Sequence, residues 1–425
     1  MKPTSLKELV RYTWDSSNFY RTFWERQGFN AKRDFKKTSD LDKIPILTKE
    51  DLLATSTRER ITLLAQDRYY FAAISSGTAA RPLISFQSQF SAPSYYRFIE
   101  GNIKRPYSSV FILRPASYAA AMIGATVPEK YFRPGSIISL GETSDLTSSA
   151  TLAREVEADM LVARPSEAIR FAAVLEKQGY SPSRIMLLYG TGEPLTSAAT
   201  SLLKRSYPDA LILYNYAMTE GPASLGMRSS LCATLDALSP SAYHLNMHDF
   251  IIEEVGGSSI VTALHIIPTP LIRYDTRDHI AIKRDLSCSC GFPVGAVGAI
   301  GPRVGEQSYK IGGYTFRAEE IRHALQKLPE LVTDDFVLHV EQTAIGMRLV
   351  NSLRFVIRPV GVPTPVLAGI IAKVLEREIR VTRSWSLGDA IRNGMVQPLG
   401  IDYDTALAGA HILPPAEIMA PFQDD

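Results

Sequence analysis

Cysteine is scarce, net charge is almost absent and long apolar runs are missing, and each shortage removes a class of function. Three cysteines in 425 residues cannot build a disulfide framework; they suit a reducing compartment, and a cytoplasmic location is expected. With 46 Lys+Arg against 44 Asp+Glu the formal net charge is +2, so neither nucleic acid nor a membrane surface is expected as a partner. No apolar stretch reaches the roughly 18 residues that a membrane-spanning helix requires. The opening MKPTSLKELVRY lacks the apolar centre of a signal peptide. The chain has no Gly-Lys-Ser/Thr turn of the Walker type. Lysine itself stops early, with none after Lys373.

What is present is a globular composition, 45% apolar and 21% charged, in a chain longer than one core usually holds, so two or more domains are expected. Leu9, Tyr12, Phe19, Phe23 and Trp24 recur at helical spacing within residues 1–28. KIPILTKEDLL (43–53) reads as a loop entering a helix, with Thr48 as its N-cap. From about residue 69 the apolar runs FAAIS, SVFILR, GSIISL, DMLVA, RIMLLYG and ALILYN alternate with the helical EAIRFAAVLEKQG and SAATSLLKRS. Such alternation predicts a largely parallel sheet with helices on its faces. Near residue 305 the pattern changes to a helix (FRAEEIRHALQKL), two strands (DFVLHV, SLRFVIR), a second helix (VLAGIIAKVLERE) and a third strand (IRVTRSW). The boundary falls between residues 304 and 305, giving domains 1–304 and 305–425. The last 25 residues, rich in Pro and Ala, are expected as an extended tail on the surface.

Four segments placed after strands carry chemistry. SSGTAARP (75–82) offers hydroxyls and a glycine, which let backbone N–H groups approach phosphate closely. YGTGEPL (189–195), YNYAMTEG (214–221) and LIRYDTRD (271–278) add glycines, aromatic rings and carboxylates. In open α/β sheets the loops at the carboxyl ends of strands line the ligand crevice. This equipment suits purine, ribose, triphosphate and Mg²⁺.

In this order the segments resemble the adenylate-forming superfamily, and specifically its phenylacetate–CoA ligase branch. SSGTAARP is similar to that branch's SSGTTGKP, YGTGEPL to its Gly-Glu-Pro turn, and YAMTEG to its Tyr-Gly-Met/Leu-Thr/Ser-Glu motif. IRYDTRD is similar to its Arg-Tyr-Arg-Thr-Gly-Asp. Gly301, Pro302 and Arg303, followed by IGGYTFRAEEI, resemble its Gly-Arg…Arg-Gly-Val-Asn-Val-Phe-Pro-x-x-Ile segment. The resemblance implies an α/β fold class: a large N-terminal adenylate-forming domain with mainly parallel sheets flanked by helices, plus a small C-terminal α+β lid domain. It implies ATP-dependent activation of a small carboxylic acid to an acyl-adenylate, then transfer to CoA. An amine acceptor, or a catalytically impaired nucleotide-binding homologue, are the alternatives. A homodimer is compatible with it.

Carried over residue by residue, the resemblance gives Ser75, Ser76, Gly77 and Thr78 to the ATP phosphates. Gly192, Glu193 and Pro194 go to the adenine side, with Tyr214, Asn215 and Tyr216 near the base. Thr219 goes to the α-phosphate, Glu220 to Mg²⁺, Asp278 to the ribose hydroxyls and Arg303 to ribose or phosphate near the hinge. Cys288 and Cys290 resemble the branch's Cys-Pro-Cys-Gly turn. With Cys232 and His244 they would close a tetrahedral structural zinc site, His248 being the alternative fourth ligand; buried cysteines with a solvated histidine are the other reading. Tyr131, Phe132, Tyr189 and residues 214–217 would wall an aryl-acid pocket, and Lys310 and Arg317 would flank the pantetheine path.

Three departures stand out. Arg81 replaces the usual Lys of the phosphate loop, with Ala79 and Ala80 for Thr-Gly. The hinge Asp reads Gly305 and Glu306, Gly305 being the expected pivot. The C-terminal Lys that orients the acid is missing, and Arg392 stands near its place. Either Arg392 substitutes for that Lys, or the first half-reaction is slow or lost, or the lid keeps one position.

Overall fold

The computed structural model describes residues 5–62, 70–74, 83–88, 107–114, 132–221, 224–265, 267–286, 288–292, 295–303, 308–381 and 385–419. The helical spacing at the amino end resolves into two helices, Leu6–Ser16 and Asn18–Arg26, broken at Ser17, whose side chain caps the second. Their apolar faces, with Leu9, Phe19, Phe23 and Trp24, pack into a core shared with the antiparallel half of the main sheet. Strand β1 (Tyr70–Ile74) pairs antiparallel with β2 (Ile84–Ser88) in a sheet of its own. FAAIS is therefore a strand, but not one of the parallel set, because it pairs with the strand that follows it instead of joining the main sheet.

The main sheet starts with β3 (Tyr107–Leu113), β4 (Phe132–Gly141), β5 (Met160–Ala163), β6 (Leu187–Thr191) and β7 (Leu211–Ala217). These pair in parallel in the order β7-β6-β5-β3-β4. The side chains alternate between two cores. Phe111, Leu113, Leu161, Ala163 and Leu188 face the helices Leu146–Glu155, Pro165–Lys177 and Ser197–Ser206, while Val110, Ile112, Met160, Val162 and Leu187 face the opposite side. Burial on both faces is what makes parallel strands read as continuous apolar runs.

Beyond β7 the pairing reverses. Strands β8 (Ser224–Ser229), β9 (Ala242–Leu245), β10 (Phe250–Val255), β11 (Ser258–Ala263), β12 (Tyr274–Lys283) and β13 (Val297–Arg303) extend the sheet antiparallel, in the order β7-β8-β9-β13-β12-β11-β10. The sheet is thus mixed, and its parallel and antiparallel halves meet at β7. That junction is where β7 delivers Tyr214, Asn215 and Tyr216.

A third group of elements follows. A hairpin of β14 (Ser308–Ile311) and β15 (Tyr314–Arg317) leads to the helix Ala318–Leu325. Long antiparallel strands β16 (Val332–Ile345) and β17 (Arg348–Pro359), the helix Pro365–Glu378, β18 (Gly400–Tyr403) and β19 (Ala410–Leu413) complete it. These elements share a core of their own, including Phe316, Ile321, Phe336, Phe355, Ile371 and Leu375. Two sequence expectations change here. IRVTRSW forms no strand among the described residues, only an isolated bridge between Arg380 and Ser386. The supposed tail instead supplies β18 and β19, which flank β17 and β16 in parallel. Four-residue strands fall below the length at which alternation can be read. Residues 304–307, with the domain boundary and the Gly305 pivot, lie outside the described residues.

Candidate active site

The site is built around a row of three tyrosines. Tyr214 and Tyr216 sit two residues apart on β7 and so share a face. Tyr243 of β9 lies beside both, its ring centroid 6.0 Å from that of Tyr214 and 5.8 Å from that of Tyr216. Tyr214 donates its hydroxyl to the backbone carbonyl of Glu193. Tyr216 donates to Asp278 Oδ2 at 2.8 Å. Burial raises both phenols well above their ordinary range, and the Asp278 charge raises Tyr216 further, so both remain donors at neutral pH. The row therefore ties the Gly192 turn to the carboxylate assigned to ribose. Asn215 points the other way. Its Oδ1 is buried with no hydrogen-bond partner among the described residues, an arrangement that is costly unless a ligand donates to it.

Asp278 and Arg303 are cross-strand partners on β12 and β13, which explains why both segments carry site residues. Arg303 Nε donates to Asp278 Oδ1 at 3.0 Å, so each carboxylate oxygen already has one protein donor and keeps a lone pair for another. Ser85 of β2 donates to the carbonyl of Thr219 at 2.6 Å, tying the strand after the phosphate segment to the Thr219 loop. Ser75, Ser76, Gly77 and Thr78 themselves lie outside the described residues, as do Ala79, Ala80 and Arg81. Glu220 is 11% exposed and faces a residue that the sequence motifs do not flag: Lys49 Nζ, at 3.9 Å.

The Gly192 turn needs glycine. Gly192 has φ +90°, and a Cβ there would sit 2.9 Å from Arg114 Nη1. The Glu193 carboxylate is turned away from the tyrosine row. It accepts from Ser166 N at 2.6 Å and Ser166 Oγ at 3.0 Å, at the N-terminus of the helix Pro165–Lys177, where a negative charge is favoured. It also accepts from Gly313 N at 2.7 Å, which docks the β14–β15 hairpin onto the large sheet. Lys310 of that hairpin is enclosed at the same junction. Burial, with the charges of Arg164 and Arg114, pushes its ammonium down to about 7, against Glu193 and Glu167. An unfolded lysine titrates near ~10.4, so between the two values the unfolded chain holds the extra proton and stability rises with pH. Below about 7 the cost of burying the charge is present in full. Lys310→Met is therefore expected to melt above the parent protein at neutral pH, with the gap closing as the solution becomes strongly alkaline. Equal melting temperatures at neutral pH would refute the burial cost. Arg317, the other pantetheine candidate, pairs with Glu320 at 2.8 Å.

On the sheet face opposite the flanking helices, the ligand atoms of Cys232, His244, Cys288 and Cys290 lie within 4.8 Å of one another. His244 Nε2 is 3.6 Å from Cys232 Sγ and 3.3 Å from Cys290 Sγ. Tetrahedral zinc with ordinary Zn–S and Zn–N bonds would set this edge at about 3.5 Å, so the donor set fits the ion. Burial, aided by Arg228, lowers the His244 imidazole to about 4, which leaves it neutral and able to ligate. His248 is not in the cluster. It is exposed and bonded to Asp249 at 3.0 Å, in the turn between β9 and β10.

Arg392 lies on the helix Leu387–Arg392, is 70% exposed and pairs with Asp389 at 2.5 Å. Among the described residues no contact joins it to Thr219, Glu220 or Asp278. Of the proposed aryl wall, Tyr189 is buried and meets Ser224 Oγ at 3.3 Å. Tyr214 belongs to the core, since its hydroxyl and ring are both consumed by protein. Tyr131 and the side chain of Phe132 lie outside the described residues. No described helix is long and apolar enough to cross a membrane.

No protein-family model matches the sequence. The architecture overlays on a solved 2-hydroxyisobutyryl-CoA ligase, in complex with 2-HIB-AMP and CoA in the thioesterification state, with TM-score 0.64 and 16% identity, covering 97% of this chain and 91% of that one. The same ligase in its postadenylation state overlays with TM-score 0.59 and 15% identity, covering 97% of this chain and 88% of that one. The chain has the adenylate-forming ligase fold. In sequence it is phenylacetate–CoA ligase-like: it is 25% identical over 297 residues to the phenylacetate-coenzyme A ligase of Escherichia coli (strain K12), a match covering 64% of each protein. The chain thus spans somewhat less than two thirds of the length of that curated relative.

Proposed function

We propose that the protein activates a small carboxylic acid with ATP, releases pyrophosphate and passes the acyl group to CoA. The observation that supports this best is the convergence on β7 and its neighbours. Asp278 is held between Tyr216 and Arg303, β7 also carries the unpartnered buried Asn215 acceptor, and Glu220 and Thr219 follow on the next loop. In this reading Asp278 accepts from the ribose hydroxyls, Asn215 from the adenine amino group, and the Ser75 to Thr78 segment, with Thr219, holds phosphate. Glu220 is the hard oxygen donor suited to Mg²⁺, which when bound neutralises the triphosphate. A carboxylate oxygen of the acid attacks the α-phosphorus, and pyrophosphate leaves with the electron pair of the broken P–O bond. Residues from 305 onward act as a lid that turns about Gly305 and shields the acyl-adenylate from water.

CoA is the proposed acceptor, in preference to an amine, because the similar proteins are CoA ligases by name. An aryl acid is the narrower proposal, resting on Tyr189 and the Tyr131 and Phe132 segment. Pyrophosphate release with a panel of aryl and aliphatic acids tests this, followed by thioester formation on adding CoA. Release with aryl acids and a CoA product is expected. Release with aliphatic acids alone would remove the aryl assignment, and no release with any acid would sink the activity.

A further inference from the structure

We propose that Lys49, carried by the amino-terminal segment, is the catalytic cation that grips the α-phosphate of the nucleotide. The inference rests on the nucleotide reading above and adds a residue to it. Adenylation brings a carboxylate against a phosphate, two anions, and positive charge aimed at the developing charge is the largest help a protein can give.

Several described cations near Asp278 and Glu220 have partners of their own. Arg303 donates to Asp278. Arg273 donates to the carbonyls of Asp42 and Ile44 and pairs with Glu253. Arg277 pairs with Glu50. Arg392 is turned onto Asp389. Lys49 differs. Its side chain is 16% exposed and its ammonium stands 3.9 Å from Glu220, an ion pair too long for a hydrogen bond, and it makes no hydrogen bond among the described residues. At this separation both groups can face one ligand from the same side, the ammonium donating to a phosphate oxygen while the carboxylate holds the metal.

The backbone that delivers Lys49 is fixed on both sides. Leu47 N donates to the Arg273 carbonyl at 2.9 Å, and Asp275 N donates to the Leu47 carbonyl at 2.9 Å, so residue 47 is stitched to the start of β12. Thr48 and Asp51 form a reciprocal capping box that starts the helix Lys49–Leu53 at Lys49. Glu50 is held by Arg277. Apart from the capping box, these anchors (Arg273, Asp275 and Arg277) lie on the segment 273–278 that also carries Asp278, so the cation and the ribose carboxylate are positioned by one piece of backbone. The arrangement also bears on the absence of lysine after residue 373: the amino-terminal segment supplies the charge instead.

The test is the affinity of the purified protein for ATP and for adenosine, which lacks phosphate, in the parent, Lys49→Met and Lys49→Arg. Methionine keeps the length and removes the charge. Lys49→Met is expected to weaken ATP about ten- to hundredfold, as for loss of a charged hydrogen bond, and to leave adenosine unchanged. Lys49→Arg should recover part of the loss. ATP–pyrophosphate exchange should fall about 10²–10³-fold in Lys49→Met. Equal ATP affinity in parent and Lys49→Met overturns the role of Lys49 while leaving the nucleotide site standing. Equal weakening of ATP and adenosine assigns Lys49 to structure and also overturns it. A parent that binds neither ligand overturns both readings at once.

Discussion

Replacing Cys290 by serine is expected to strip the protein of zinc and lower its stability by several kcal/mol. The site joins two connections that are distant in the chain. Cys232 is the N-cap of the helix Ala233–Leu238 after β8 and His244 lies on β9, while Cys288 and Cys290 sit between β12 and β13. A bound ion staples the β8–β9 connection to the β12–β13 connection, and β12 carries Asp278. The ligands are already gathered in the fold, so the ion adds its binding energy mainly as mass action on the native state, about 4 kcal/mol when free zinc is a thousandfold above Kd. Purified parent protein should contain about one zinc per chain. Chelation should lower the melting temperature of the parent and leave Cys290→Ser unmoved. Zinc-free parent protein with three freely titrating thiols would refute the site. Weaker ATP binding in the zinc-free protein is a further expectation, because β12 loses one of its supports.

The parallel half of the sheet was legible because its strands are buried on both faces. DMLVA is apolar at nearly every position and became β5 with every residue buried. The antiparallel half was not. β12 reads YDTRDHIAIK, with Asp275, Arg277, Asp278 and His279 inside a strand, and only some of its positions are buried. Those charges answer to tertiary partners: Ser258 donates to Asp275, Glu50 pairs with Arg277, and Arg303 pairs with Asp278. No local period announces such a strand. The grouping of Cys232, His244, Cys288 and Cys290 was expected from the resemblance and not from spacing, and the four side chains do lie together. Glu193 shows a limit of motif transfer. The resemblance assigns it to the adenine side, while its carboxylate serves the helix Pro165–Lys177 and the β14–β15 hairpin. Lys49 escaped because its signal is spatial. In the chain it is one lysine in a capped turn, and only the pairing of residue 47 with β12 turns it toward Glu220.

Asp278→Ala is expected to weaken ATP binding by about 1.5–3 kcal/mol, roughly ten- to hundredfold, because a charged acceptor of two ribose hydroxyls is lost. The substitution also frees two protein groups. Arg303 is 42% exposed and can turn its guanidinium to water at little cost. Tyr216 cannot, since its phenol is enclosed, so part of any loss in Asp278→Ala reflects an unpaired hydroxyl and not the ribose contact. Tyr216→Phe separates the two. It removes the donor, keeps the ring beside Tyr243 and leaves Asp278 held by Arg303. If ribose binding depends on the carboxylate, Tyr216→Phe should cost less than Asp278→Ala, and the double variant should cost no more than Asp278→Ala alone, because the orphaned hydroxyl is gone. Comparing ATP with 2′,3′-dideoxy-ATP sharpens the result: the parent should prefer ATP, and Asp278→Ala should bind the two equally. An unchanged preference for ATP in Asp278→Ala would remove Asp278 from the ribose and leave it as a strut between β7 and β13.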